Sequence, residues 1–171
     1  TAAASDLTRA TTAIFYSISN TQTGLRGVSF GDSLIKRVVE TLCAEFPKLK
    51  TFVTLSPIPG FRAWLVRHAA DMLERLDQQD RAELQRSLGG GALTAEHFLA
   101  AADNARELEA RSPLGHLLLQ CAVHYLGQEL QDGKPVDPVA RFHLGNGARV
   151  ERLNWAGDAS PKGWKQPYGM M

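Results

Sequence analysis

The sequence has little of what would set it apart from ordinary globular proteins. Its 171 residues contain only two cysteines, Cys43 and Cys121, without the spacing of a zinc site or a disulfide framework. No apolar run approaches the roughly 18 residues that span a bilayer, and the first residues lack the features of a signal peptide. The net charge of only +1 argues against a nucleic-acid partner bound through bulk charge. We therefore expect a soluble chain in a reducing compartment, with no membrane or nucleic-acid partner.

What is present is enough apolar sequence for one folded domain. The chain is 44% hydrophobic and 22% charged, which excludes intrinsic disorder. Because it opens on Thr1 instead of methionine, we expect it to be a piece of a longer protein.

The first sixty residues predict a βαβ unit. Residues 12–19 are β-branched and aromatic and apolar on both faces, as in a strand covered on both sides. Apolar residues from 34 to 46 recur at helical spacing, and residues 49–56 form a second strand stopped by prolines. We expect the two strands to be parallel and the crossover right-handed.

After residue 60 the pattern of apolar and polar residues changes twice, first to a helical pattern and then to one typical of strands. Residues 61–132 are helical in pattern, in pieces near 61–76, 81–88, 94–108 and 113–130, which is far more than a crossover needs and predicts a helical insertion. Residues 138–144 and 148–155 are predicted to be strands joined by a hairpin at Asn146-Gly147. The last sixteen residues are predicted to be loop.

Three segments could carry chemistry. Residues 26–31 lie between strand and helix, where free backbone N–H groups and Arg26 suit a pyrophosphate, although an ordinary capped turn fits equally. Ser56 ends a strand, where ligands bind in open α/β sheets, or it simply closes a turn. His143 is an acid–base candidate or a half-exposed strand histidine. The four histidines on helices lack metal-site spacing, so no metal is predicted.

Two nested resemblances sharpen these alternatives. Residues 26–35 (RGVSFGDSLI) resemble the acyl-CoA phosphate loop of the GNAT acyltransferase fold, with Ser29 in place of its middle glycine. A more specific set of segments, in the same order, resembles the malonyl-CoA decarboxylase family across nearly the whole chain. The segments are 15–19 (FYSIS), 24–27 (GLRG), 34–39 (LIKRVV), 45–47 (EFP), 55–61 (LSPIPGF), 138–140 (PVA), 142–144 (FHL), 146–148 (NGA) and 154–155 (NW).

This resemblance implies an α+β chain, one partial GNAT-like catalytic domain over 1–171 with a mixed sheet, flanking helices and a helical insertion. Its parts would be 1–60 with the CoA loop, 61–132 as insertion and 138–171 as C-terminal strands and loop. The implied activity is decarboxylation of malonyl-CoA to acetyl-CoA, in a homo-oligomer expected to be a tetramer. No cofactor is implied, since CoA is part of the substrate. The compartment is the cytoplasm for a bacterial protein, or the mitochondrion or peroxisome for a eukaryotic one.

The resemblance also assigns residues. The catalytic serine and histidine of the family fall on Ser56 and His143. Some members carry a glutamate at the position of Ser29, so a role for that carboxylate does not transfer. Residues implied to bind CoA or the malonyl group are Arg26, Gly27, Val28, Ser29, Phe30, Gly31, Asp32 and Asn146.

A mechanism follows from the chemistry. Loss of carbon dioxide leaves an enolate, which needs a hydrogen-bond donor at oxygen and a proton at carbon. His143 is expected to donate a hydrogen bond to the thioester oxygen or to deliver the proton. Ser56 is expected to orient the malonyl carboxylate. Three other functions stay open: an acyl-CoA N-acyltransferase using the same loop, a non-catalytic acyl-CoA sensor, and a structural domain with no ligand.

Overall fold

The structure is a computed structural model that describes residues 7–16, 30–104 and 109–171, with the backbone alone for residues 8 and 30–33. It combines helices with short strands, so the chain is of the α+β class, as predicted. The chain divides into two compact units, Thr1–Ser56 and Pro57–Met171.

The first unit contains the predicted parallel pair of strands. A 3₁₀ turn at Leu7–Arg9 precedes strand β1 (Thr12–Phe15), and helix α1 (Phe30–Glu45) leads to strand β2 (Thr51–Thr54). The strands pair in parallel from Thr12 opposite Thr51 to Phe15 opposite Thr54. Helix α1 ends just before Pro47, which cannot continue a helix.

The expectation that β1 is covered on both faces is wrong for this chain. The side chain of Ile14 is 54% exposed and that of Tyr16 is 75% exposed. Among the described residues the sheet has only β1 and β2, so β1 is paired along one edge, and its side chains are half-buried on one face and exposed on the other. Residues 17–19, the predicted end of this strand, lie outside the described residues.

The second unit has a helical core. Its first four helices are α2 (Phe61–Glu74), α3 (Gln78–Ser87), α4 (Ala95–Asp103) and α5 (Pro113–Gln128), which confirms the helical reading of this region. Helices α2 and α5 bury the largest stripes, because apolar residues recur on them every three or four positions. Side chains of Asp77, Thr94 and Ser112 cap the starts of α3, α4 and α5.

A small hairpin follows α5, at a different place from the predicted one. Strands β3 (Leu130–Gln131) and β4 (Lys134–Pro135) are antiparallel. Asp132 and Gly133 between them have φ of 53° and 71°, as a type I′ turn requires. Asp-Gly here supplies the tight hairpin turn.

The predicted strands at 138–144 and 148–155 are wrong. Residues 138–145 form helix α6 (Pro138–Gly145), and residues 148–155 have no regular structure. The Asn-Gly pair ends this helix: Gly147 has φ of 85°, Gly147 N–H donates to Leu144 O, and Ala148 N–H donates to His143 O. These two bonds make a Schellman motif, in which glycine serves as well as in a hairpin turn.

The C-terminal residues are also more than the predicted loop. Helix α7 (Pro161–Lys165) begins at a Ser160 cap. Trp164, Tyr168 and Met170 are buried in the core of the second unit. Apolar side chains in this glycine- and proline-rich segment therefore fill the helical core despite the turn-forming composition around them.

Candidate active site

His143 lies on α6, two residues before the helix ends, instead of on a strand. Its side chain is half-buried, and its ring packs edge-on to that of Phe142 with centroids 5.1 Å apart. Burial lowers the pKa of His143 below its usual 6.5, because the charged imidazolium is the form that desolvation penalises. At pH 7 the ring is therefore neutral, with one nitrogen as donor and the other as acceptor.

The start of α6 is set by Asp137, whose side chain is 1% exposed. One carboxylate oxygen, Oδ1, accepts from the backbone N–H of Val139 and of Ala140, both at 3.0 Å. Pro138 occupies the first helical position, where its missing N–H costs nothing. Asp137-Pro138 ahead of an apolar run is an N-terminal helix signal that would have predicted α6 and its cap from the sequence.

The other oxygen of Asp137 faces two groups from elsewhere in the second unit. Oδ2 lies 3.4 Å from the backbone nitrogen of Gly60 and 3.4 Å from the hydroxyl oxygen of Tyr125. Burial, and next the charge of Asp137, raise the pKa of Tyr125 to about 12, so this hydroxyl stays protonated and donates. Sequence-based reasoning missed both Asp137 and Tyr125 as part of this arrangement.

Gly60 fits this contact because it has no side chain. A Cβ at Gly60 would overlap the Tyr125 hydroxyl and lie 3.5 Å from Asp137 Oδ2. The loop 57–60 that carries Gly60 is anchored by Ile58, which is buried. Helix α2 has no side-chain cap of its own, so the Asp137 carboxylate serves its N-terminal backbone at Gly60.

Ser56 closes the first unit, after β2. The last hydrogen bond before it runs from Leu55 N–H to Phe15 O at 2.9 Å. Its side chain is half-buried, and Pro57 follows it. Pro57 and Pro59 restrict the backbone on either side of Ile58. Ser56 therefore follows a strand end, as predicted.

The predicted CoA loop is only partly within the described residues. Arg26, Gly27, Val28 and Ser29 lie outside them, while Phe30, Gly31 and Asp32 form the first turn of α1. Asn146 is the C-cap of α6, where its backbone N–H donates to His143 O. The binding roles of all these residues stay predictions.

Two of the remaining histidines take part in local packing. His68 and His124 flank the Trp64 indole, with ring centroids 5.0 and 5.8 Å away. Within residues 7–16, 30–104 and 109–171, no three His, Cys, Asp or Glu side chains are grouped as metal ligands. Over the same residues, no helix is long and apolar enough to cross a membrane.

Comparison with known proteins decides the family. The family model described as the malonyl-CoA decarboxylase C-terminal domain matches residues 1–171, the whole chain. The chain belongs to the malonyl-CoA decarboxylase family.

Relatives and solved structures of this family agree. The mitochondrial malonyl-CoA decarboxylases of Anser anser anser and Mus musculus are each 38% identical, over 97% and 95% of the chain. The malonyl-CoA decarboxylase structure from Cupriavidus metallidurans is 49% identical, with a TM-score of 0.79 over 94% of the chain and 40% of its own. The Rhodopseudomonas palustris structure is 46% identical, with a TM-score of 0.70 over 96% of the chain and 35% of its own. The chain spans 34% and 35% of the two mitochondrial relatives.

Proposed function

We propose that this chain is the catalytic part of a malonyl-CoA decarboxylase, converting malonyl-CoA to acetyl-CoA and carbon dioxide. The family match over all 171 residues carries this proposal. The half-buried, neutral His143 on a capped helix supports it, because such a group can serve a developing oxyanion. A GNAT-like arrangement of the complete sheet is part of the same proposal.

The reaction requires stabilisation of the negative charge on a thioester enolate more than it requires a strong base. The bond between the malonyl carboxylate and the adjacent carbon breaks, carbon dioxide leaves, and the electron pair moves into a thioester enolate. A proton then returns to carbon and gives acetyl-CoA. The thioester is itself the electron sink, so the proposed reaction needs no metal and no organic cofactor.

His143 is proposed to donate a hydrogen bond from its neutral imidazole to the thioester oxygen. Its lowered pKa supports this role. An imidazolium would instead pair with the malonyl carboxylate and stabilise the ground state that must lose it. Ser56 is proposed to hold that carboxylate out of the plane of the thioester, so that the breaking bond aligns with the π system.

The CoA part of the substrate is proposed to lie against residues 26–32 and Asn146. Helix α1 begins at Phe30, so residues 26–29 directly precede a helix N-terminus, where backbone N–H groups favour phosphate. Assembly as a homo-oligomer, and as a tetramer, is proposed on the family resemblance. The compartment is proposed on the same resemblance: the cytoplasm in a bacterium, and an organelle in a eukaryote.

Product analysis with the full-length protein tests the proposal. We expect malonyl-CoA to disappear with equal amounts of acetyl-CoA and carbon dioxide formed, and Ser56→Ala to lower turnover by about 10- to 1,000-fold. Its affinity for CoA should stay near that of the wild type. A folded protein that is thermally stabilised by CoA but leaves malonyl-CoA unchanged would contradict the proposal.

A further inference from the structure

Asp137 holds a position that the capping of one helix does not explain. Among the described residues, it is the only charged side chain that is buried. A buried carboxylate is costly unless hydrogen bonds satisfy it. Its two oxygens face four donors: the N–H groups of Val139 and Ala140 on one side, and those of Gly60 and Tyr125 on the other.

The first pair of contacts fixes the helix that carries His143. Helix α6 is only eight residues long and none of its side chains is fully buried, although Val139, Ala140, Phe142, His143 and Leu144 are half-buried. With no fully buried side chain to anchor it, so short a helix depends on its cap for where it begins. The Arg141 side chain adds one further tie, from Nε to Pro135 O at 2.8 Å.

The second pair of contacts, each 3.4 Å long, links the loop that follows Ser56 to the same carboxylate. Gly60 is four residues beyond Ser56, and its backbone nitrogen faces the same carboxylate. The Tyr125 hydroxyl completes this contact from the core helix α5. One buried side chain thus connects the beginning of α6 with the chain segment leading from Ser56 and with the core of the second unit.

We infer that Asp137 is a positioning residue for the decarboxylation, which holds the helix of His143 and the loop after Ser56 in a fixed arrangement through its two carboxylate oxygens. This inference rests on the proposed function. Asp137 is not proposed to contact the substrate. Its effect on the reaction passes through the placement of His143, because a displacement of about 1 Å costs about 100-fold in rate.

Asp137→Asn separates positioning from capping. Asparagine caps helices as well as aspartate does, so α6 keeps its cap. The amide has only one acceptor oxygen, however, and its NH₂ group then faces the Gly60 N–H, donor against donor. We expect kcat for malonyl-CoA to fall about 10- to 100-fold in the full-length protein, with KM changed less than about twofold.

Asp77→Asn is the matched control. Asp77 caps α3 in the same way, through a bond from Asp80 N–H at 2.8 Å, but lies outside the proposed site. We expect wild-type kcat and KM from this variant. Where Asp137→Asn fails to fold, Tyr125→Phe removes one donor from Oδ2 and leaves the carboxylate in place, and we expect it to lower kcat at unchanged KM.

The outcomes distinguish the two claims. Wild-type protein that forms no acetyl-CoA from malonyl-CoA overturns the proposed function, and the positioning role with it. Where the wild type is active, three results overturn the positioning role alone. They are wild-type kcat from folded Asp137→Asn, an equal loss of kcat in Asp77→Asn, and an Asp137→Asn variant whose KM rises while its kcat is unchanged. Where Asp137→Asn does not fold, wild-type kcat from Tyr125→Phe overturns the positioning role.

Discussion

His143 is half-buried near the end of a short helix, and its burial decides which protonation state it presents. Desolvation lowers its pKa below 6.5. The neutral ring is then the dominant form through pH 7 and above. A neutral imidazole donates one hydrogen bond and carries no charge that would hold the carboxylate of the proposed substrate.

The first prediction at this scale concerns pH. The ionisation of His143 lies on the acid side of 6.5, since the folded-state pKa is lowered. We expect kcat/KM for malonyl-CoA to be constant, as far as His143 is concerned, from pH 7 to higher pH, and to fall as the pH drops below about 6.5. A pH–rate profile measures this. An activity that falls as the pH rises through 6 to 7 would instead make the imidazolium the active form.

At the scale of elements, the sequence predicted helices correctly where apolar residues recur at helical spacing over several turns. Helices α2 and α5 each cover about four turns, so their buried stripes are visible in the sequence. Helix α6 covers only eight residues and has no fully buried side chain, so apolar periodicity could not distinguish it from a strand. The Asp137-Pro138 start was the better signal, and Asn146-Gly147 misled because glycine at positive φ serves hairpins and helix ends alike.

The contact between the α2 start and α5 gives a second prediction. Gly60→Ala places a methyl group against the Tyr125 hydroxyl, and overpacking of this kind costs about 1 to 3 kcal/mol, so we expect Tm to fall. Gly127→Ala is the matched control, because its Cβ meets nothing within 4 Å on exposed α5 surface. Thermal melts of the full-length protein compare the two.

A double variant tests the cause. Tyr125→Phe removes the oxygen that the new methyl group would meet, so Gly60→Ala should lower Tm less in that background. An equal loss of Tm in both backgrounds would show that the hydroxyl is not the obstacle.

At the scale of the whole molecule, the two units differ in how much they bury. The second unit holds the hydrophobic core, including the C-terminal Trp164, Tyr168 and Met170. In the described part of the first unit, by contrast, Leu49 is the only fully buried apolar side chain, and Ile14 on β1 and Leu34 on α1 are both more than half exposed. Composition could not predict this difference, because both regions contain enough apolar residues for a core and only packing partners decide which are buried.

A third prediction follows for the chain studied alone. Among the described strands β1 has an unpaired edge, and exposed apolar surface beside such an edge favours association. We expect the isolated 171 residues to self-associate in size-exclusion chromatography with light scattering, and Ile14→Lys to reduce this. Val123→Lys, at a similarly exposed position on α5, should have less effect. A monodisperse wild-type chain would refute the expectation.

The central claim is that this chain carries decarboxylation of malonyl-CoA through His143. Its most direct test is the rate of carbon dioxide release from malonyl-CoA by the full-length wild type and by His143→Ala, with His97→Ala on exposed α4 surface as control. We expect release by the wild type and by His97→Ala, and a rate about 10- to 1,000-fold lower for His143→Ala at unchanged CoA affinity. Equal rates from the wild type and His143→Ala would contradict it.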